Sequence, residues 1–319
     1  TLGLPARARF GATITRPDDL PPLLDQAGAL GLPLRILGGG SNVVLRPRFD
    51  GIIALMAIAG REILDRSHGR TLVRLGAGEN WHEAVEWTLQ NGLPGLENLA
   101  GIPGTVGAAP IQNIGAYGCE LVDRFHALVA LDSQDGTQRT FTRVDCDFSY
   151  RQSVFKRMPG RFIVQSVTLS LPDVWQPNLG YPGLNSLPGD IDPVTVMRTV
   201  VAVRNSKLPD WRQTGNAGSF FHNPIVDSVV ADRLATDYPE LPRYPSADGR
   251  TKLSAAWLIE RCGFKGQRFG TAGVSDRHAL VVVNHGGATE ADISALAGRI
   301  VAAVEARFGV RLVQEPELL

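Results

Sequence analysis

The chain has 319 residues, enough for two or three domains and a sizeable hydrophobic core. Lys plus Arg and Asp plus Glu number 32 each, so the formal net charge is zero, which argues against a general nucleic-acid binder or a protein held on anionic membranes. Hydrophobic residues at 44% and charged residues at 20% exclude wholesale disorder. The 35 glycines and 21 prolines stand out: together they make about 18% of the chain against a usual ~12%, without the period that would mean collagen. Something in this molecule needs tight turns or close backbone approach.

In chain order, residues 8–16 alternate like a strand, and residues 18–31 form a short helix opened by Asp residues and closed by Gly31. A strand over 32–37 runs into Gly38-Gly39-Gly40-Ser41-Asn42. Strands follow at 51–58 and 71–78, then an amphipathic helix over 80–92 with Gly92 at its stop position. A Gly/Pro-rich stretch runs from Gly92 to Gly118. Strands at 126–133 and 137–142 flank Gln134-Asp135-Gly136, a hairpin signal, and a strand over 161–171 closes this region. A polar, proline-punctuated loop surrounds Tyr181. Asp192-Pro193 pairs an N-cap with Pro at the first helical position of a helix over 194–207. The last third reads helix (252–263), buried strand (278–284), long helix (289–309, with Thr289 and Asp292 as a capping pair) and final strand (310–313). No repeat of fixed period is present.

Cys119, Cys146 and Cys262 lie far apart, with no C-x-x-C pair. That spacing suits a reducing cytoplasm and neither a disulfide framework nor a zinc cluster. None of the six histidines falls in a ligand cluster, so no metal is expected. No apolar run reaches membrane-spanning length. The opening residues do not form a signal peptide, and the missing Met suggests a start slightly upstream.

Three consecutive glycines after a strand, Gly38–Gly40, can expose backbone N–H groups as an anion-binding concavity. The G-K-[ST] ending of a Walker loop is absent, as is a G-x-G-x-x-G helix opening. A plain inter-strand loop is the competing reading. The stretch from Gly92 to Gly118 holds seven glycines in 27 residues and a single charge, Glu97. Its Leu, Ile, Ala and Pro content predicts an ordered, buried segment rather than a flexible linker. Buried irregular backbone must satisfy its polar groups, and a large flat ligand with polar edges would do so. Tight packing against a helix would also account for it.

These residues resemble a known family, the UDP-N-acetylenolpyruvoylglucosamine reductases (MurB). The likeness runs through Gly38–Asn42, Gly76-Ala77-Gly78-Glu79-Asn80-Trp81, Gly95–Leu99, Ile102–Gly107 and Pro110–Gly118. It continues through Tyr150–Ser153, Lys207–Asp210, Gly215–Phe221, Lys252-Leu253, Trp257–Ile259 and Glu315-Pro316-Glu317. The order is kept along essentially the whole chain. The resemblance implies an α+β fold: a two-part FAD-binding unit of the vanillyl-alcohol-oxidase type plus a separate α+β substrate domain. The expected bounds are 1–54 and 55–190 for the two FAD-binding parts and 191–310 for the substrate domain, with a C-terminal strand, 311–319, returning to the first. The loop around Tyr181 matches the longer type, in which a Tyr loop closes over the substrate.

The resemblance further implies noncovalent FAD, with Cys119 as a small core residue rather than a flavin attachment, and NADPH as co-substrate. The reaction would reduce the enolpyruvyl ether of a UDP-sugar in peptidoglycan precursor synthesis, and so serve cell-wall biogenesis, cell shape and division. Reducing a vinyl ether beside a carboxylate places a hydride on the β-carbon, spreads charge into the carboxylate and needs a proton at the α-carbon. By resemblance Ser219 gives that proton, Arg151 holds the carboxylate and Glu317 polarises the enol or the proton path. The small-residue turn Asn216–Ser219 suits presenting a hydroxyl in a dry pocket. A self-bonded turn serine, a surface ion pair and a solvated terminal glutamate are the respective plain alternatives.

Cofactor contacts are carried over to Gly38, Gly39, Gly40, Ser41, Asn42, Gly101, Ile102, Pro103, Gly104, Gly107, Ala108, Gln112, Asn113, Gly115, Ala116 and Gly118. Substrate contacts are carried over to Tyr150, Tyr181, Arg204, Lys207, Asn223, Tyr244 and Lys252. Arg204 and Lys207 are spaced i, i+3 on a helix, where two cations could meet a diphosphate or simply cap the helix end. NADPH and the enolpyruvyl sugar are expected to compete for one site. A cytoplasmic monomer is expected, with no nucleic-acid or membrane partner. A flavin oxidase sharing the FAD half, or a binding protein without chemistry, are the alternatives from other classes.

Overall fold

The computed structural model describes residues 1–246 and 248–319. By packing, these residues form two compact units.

The larger unit comprises Ala8–Gly40 and Asp50–Arg204. Strand β1 (Arg7–Ile14) is followed by α1 (Leu20–Leu30), which Gly31 ends at φ 60, its N–H returning to the carbonyls of Ala27 and Gly28. β2 (Leu34–Leu37) pairs in parallel with β3 (Arg48–Met56), Leu34 opposite Ile52 and Leu37 opposite Leu55, in a three-stranded sheet of order β1-β3-β2. β4 (Arg61–Ser67) and β5 (Arg70–Gly76) precede α2 (Trp81–Gln90), whose N-cap Asn80 accepts from the Glu83 N–H. β6 (Phe125–Asp132), β7 (Gln138–Thr142) and β8 (Phe162–Pro172) complete an antiparallel sheet of order β7-β6-β8-β5-β4. β8 buries Val167, Leu169 and Leu171 at period two, the pattern of a strand with one face in the core. β4 was not anticipated. Its Arg-Glu-Ile-Leu-Asp-Arg-Ser run is mostly exposed and charged, as suits an edge strand.

α3 (Pro193–Lys207) starts as expected: Asp192 Oδ1 accepts from the Thr195 N–H at 3.0 Å. Val196, Met197 and Val200 join the larger unit's core, so that unit continues to Arg204 rather than stopping at 190.

The smaller unit comprises Thr1–Arg7, Ser41–Phe49 and Asn205–Leu319. In it, β9 (Gly215–Ser219), β11 (Ala272–Val274) and β12 (Val281–Asn284) join the pair Arg268–Phe269 in one sheet. Its order is β9-β12-β11-(268–269), and all four residues of β12 are buried. α4 (Ser228–Asp237), β10 (Thr251–Leu253) and α5 (Ala255–Arg261) lie between them in sequence. The helix read from 252 begins only at Ala255, because 251–253 pair with Ile225–Val226 and Arg243–Pro245, and Ser254 caps the helix. α6 (Glu290–Phe308) carries the full Thr289/Asp292 capping box and ends at Gly309, φ 66.

Two stretches depart from the expected arrangement. The stretch 310–313 is not a strand. Val310 and Leu312 are buried in this unit's core, while the strand residues are Glu317–Leu318, parallel to Val43–Val44. The first 54 residues do not stay together: Leu2 and Val44 are buried in the smaller unit's core, and Ile14, Leu20 and Ala54 in the larger one's. Local periodicity cannot show which core a strand faces.

Candidate active site

In the larger unit the glycine segment is ordered and largely internal. It forms two 3-10 turns, Glu97–Leu99 and Val106–Gln112. The first two residues of α2 hold it: Trp81 Nε1 donates to the Leu99 carbonyl at 2.9 Å, and His82 Nδ1 accepts from the Gly101 N–H at 3.2 Å. The first glycine loop meets it directly. A Cβ on Gly38 would lie 2.3 Å from Thr105 Oγ1, and one on Gly39 3.1 Å from the Gly104 Cα. Thr105 Oγ1 is buried and has no hydrogen-bond partner among the described residues. Gly39, Pro103, Ala108 and Gly118 remain exposed along the segment.

Packing explains other glycines without any ligand. A Cβ on Gly76 or Gly78 would meet the backbone of residues 57–59 at 2.4 Å, and one on Gly107 would meet the Ala77 Cβ at 2.6 Å. Asn113 sits at φ 45, fully buried, with its side chain committed inside the protein. Its Nδ2 donates to Glu120 Oε2 and the Ser149 carbonyl, and its Oδ1 accepts from the Val122 N–H. Any cofactor contact there falls to its backbone.

Arg151 reaches this segment. Its guanidinium donates to the Gly115 carbonyl at 2.7 Å and to the Asn113 carbonyl at 3.5 Å, and it lies 5.2 Å from the centre of the Tyr150 ring. Arg204 reaches it from α3: a Cβ on Gly101 would lie 3.2 Å from the Arg204 Cδ. The Arg204 guanidinium and the Tyr117 hydroxyl lie within electrostatic reach of each other. Tyr117 stacks edge-on against Tyr181, with ring centres 4.8 Å apart. Burial pushes the Tyr117 phenol up and the Arg204 guanidinium down from their ordinary values. Arg204, Tyr117 and Tyr181 therefore form one cluster beside Gly101.

The smaller unit presents Ser219 by local chemistry. Asn216 is buried, donates to the carbonyls of Pro209 and Thr214, and accepts from the Gly218 N–H at 3.0 Å. Gly218 takes φ 69, and the β9–β12 register shifts between Asn216 and Ser219. The bulge sends Phe220 and Phe221 into the core and leaves Ser219 exposed, not enclosed as expected. The C-terminal segment runs antiparallel beside it, with Glu315 N–H to the Phe220 carbonyl at 2.9 Å and Phe221 bridging Gln314. Glu317 N–H then donates to the Asn42 carbonyl at 3.0 Å, and Asn42 Nδ2 donates to the Glu315 carbonyl. Ser219, Asn42 and Glu317 thus sit on connected ladders. Glu315 occupies a different place, its carboxylate 4.0 Å from His222 Nε2.

Among the other expected substrate residues, Tyr244 and Lys252 face each other across a strand pair, the ammonium 6.0 Å from the ring centre. Asn223 Oδ1 accepts from the Ala255 N–H at the start of α5. Lys207 lies near His278, whose imidazole is held below its usual value by burial and then by the Lys207 and Lys265 charges. Sequence reasoning did not single out Glu97, Asn98, Trp175 or Asn178 as site residues, though Glu97 was already visible as the lone charge of its segment.

The residues present fit a flavin dinucleotide: two glycine loops meet at Gly38–Gly39 and Gly104–Thr105, Gly39 is exposed there, and the buried Thr105 Oγ1 has no hydrogen-bond partner among the described residues. A family model described as FAD binding domain matches residues 11–142. The class is an FAD-binding α+β protein with a separate C-terminal unit. A second model, UDP-N-acetylenolpyruvoylglucosamine reductase, C-terminal domain, matches residues 210–319. The reductase of that name from Burkholderia orbicola strain MC0-3 is 49% identical, covering 100% of this chain and 94% of the relative. The one from Azoarcus sp. strain BH72 is also 49% identical, covering 99% and 94%. The crystal structure of MurB from Thermus caldophilus shares the fold, with a TM-score of 0.65 at 24% identity over 99% of this chain and 94% of that one. The chain belongs to the UDP-N-acetylenolpyruvoylglucosamine reductase family.

Proposed function

We propose that this chain reduces UDP-N-acetylglucosamine enolpyruvate to UDP-N-acetylmuramate with NADPH, as a step of peptidoglycan precursor synthesis. The observation that carries this is 49% identity over the whole chain to a reductase of that name. FAD, when bound, relays the hydride from NADPH to the substrate. Gly38–Gly40, Ser41, Asn42 and the stretch Gly101–Gly118 would hold it, largely through backbone.

The substrate's β-carbon gains the hydride and becomes a methyl group, and the electron pair of the double bond moves toward the α-carbon and its carboxylate. Arg151 stabilises that carboxylate with a fork that stays charged. Ser219 gives its hydroxyl proton to the α-carbon. An enolate carbon is basic enough to take a proton from so weak an acid. Glu317 supports the proton path. Tyr150, Tyr181, Arg204, Lys207, Asn223, Tyr244 and Lys252 are assigned to the UDP-sugar, whose single diphosphate needs only a few local cations. We assign flavin binding chiefly to the larger unit and sugar binding chiefly to the smaller unit and the end of α3. The expected setting is a cytoplasmic monomer, serving cell shape and division through the wall; no helix among the described residues is long and apolar enough to cross a membrane.

The test is direct. Purified protein should be yellow, bleach with NADPH without oxygen, and regain colour on adding the enolpyruvyl sugar. A protein that takes up no FAD, or whose reduced flavin is reoxidised by oxygen but not by the sugar, would overturn the reading.

A further inference from the structure

The loop from Asp173 to Asp192, between β8 and α3, carries Tyr181 and has little regular structure of its own. Its approach to Tyr181 is fastened at two successive points. Trp175 Nε1 donates to Glu97 Oε1 at 2.6 Å, and the other Glu97 oxygen accepts from the Gly95 N–H at 2.7 Å. Three residues on, the Asn178 carbonyl accepts from Asn98 Nδ2 at 2.9 Å, and the same nitrogen donates to the Tyr117 carbonyl at 2.9 Å. Asn178 answers with its own amide, donating to the Gly118 carbonyl at 3.1 Å and to Cys119 Sγ at 3.3 Å. Only then does the chain reach Tyr181, beside Tyr117.

Glu97 and Asn98 are 3% and 2% exposed, so the anchoring side of each fastener is shielded from water. A carboxylate accepting from an indole N–H in such a place costs little when paired and a great deal when its donor is removed. Asn98 binds Tyr117 and Asn178 through one nitrogen, so the loop and the Tyr117 turn cannot shift independently. Tyr117 itself stands at φ 49 and Gly118 at φ 80, a left-handed pair that needs outside support for the tyrosine.

We propose that Glu97 and Asn98 are positioning residues that pin the approach of the Tyr181 loop to the glycine segment. The pinning rests on geometry alone. Only the identity of the molecule under Tyr181 rests on the reading proposed above.

Hydrogen–deuterium exchange on the FAD-loaded protein tests this. Trp175→Phe keeps the ring and removes the donor. Amides over 178–187, where those of Gly180, Leu184, Asn185 and Leu187 are hydrogen-bonded, should exchange about tenfold faster on loss of one charge-assisted bond, while β8 and α3 keep their protection. Affinity for the enolpyruvyl UDP-sugar, read from the flavin spectrum, should weaken several-fold with FAD content unchanged. Glu97→Gln keeps one of the two acceptor oxygens and should retain part of the protection that Glu97→Ala loses. Unchanged exchange over 178–187 in Trp175→Phe overturns the proposal, as does protection lost evenly across the whole unit. Faster exchange at 178–187 in a protein whose parent does not bind the sugar supports the pinning and counts against the substrate alone.

Discussion

The Arg151 guanidinium donates to the Gly115 carbonyl at 2.7 Å from a residue whose backbone is held at φ 56. A non-glycine residue there costs on the order of 1–3 kcal/mol and persists only where its surroundings over-determine it. Lys156 Nζ helps, donating to the Arg151 carbonyl at 3.2 Å. The planar fork is what lets one side chain brace two carbonyls of the glycine segment. Arg151→Lys keeps the charge and loses the fork. Turnover of the enolpyruvyl sugar should fall by about 100-fold or more, while flavin reduction by NADPH changes only a few-fold. Stopped-flow measurement of the two half-reactions separates them.

Ser219→Ala should leave flavin reduction by NADPH almost intact. Reoxidation by the enolpyruvyl sugar should slow by roughly 10²–10⁴-fold, the usual loss on removing a general acid. Parental rates in both half-reactions would remove Ser219 from the chemistry.

The glycines divide into two testable groups. Gly78→Ala forces a Cβ to within 2.4 Å of the Ala57 backbone and should cost about 1–3 kcal/mol, or more, with or without FAD. Gly39→Ala is milder, at 3.1 Å from the Gly104 Cα, and lies at an exposed turn. It should weaken FAD binding by about tenfold, roughly 1.4 kcal/mol, with the melting temperature of the FAD-free protein nearly unchanged. Thermal melts and flavin titrations of both variants check the division.

Cys146 is fully buried, and burial pushes its thiol up to about 12, with the nearby Asp145 charge adding to the effect. Its ionisation is easier in the unfolded chain, where the ordinary value is 9.0. The sign follows. The folded form binds this proton more tightly, so its contribution is whole below pH 9 and is lost as pH rises toward 12. Above pH 9, stability should fall by up to about 1.4 kcal/mol per pH unit from this residue. Urea melts of the parent and Cys146→Ala between pH 8.5 and 10.5 should diverge by that slope. Native Cys146 should also resist thiol reagents at pH 8.

Much of the local structure was legible because its causes are local. Gly31 and Gly309 end helices in the left-handed conformation, Thr289 and Asp292 form their capping box, and Asp192-Pro193 opens α3 as its spacing required. The site was legible only in part. Ser219 at its bulge and the glycine loops follow from residue order. The use of Asn113 wholly inside the protein does not, since its partners are up to 36 residues away.

The glycine excess of the sequence pointed to backbone approached closely, and the family followed from ordered motifs along the chain. What approaches each glycine was decided by tertiary structure. Gly76, Gly78 and Gly107 are kept small by neighbouring protein, while Gly38 and Gly39 let one loop lie on another. Composition records that a side chain is excluded, but the excluding atoms come from segments far away in sequence. The same holds for Glu97: its solitary charge was plain in the sequence, and only the folded chain supplies the Trp175 indole that it holds.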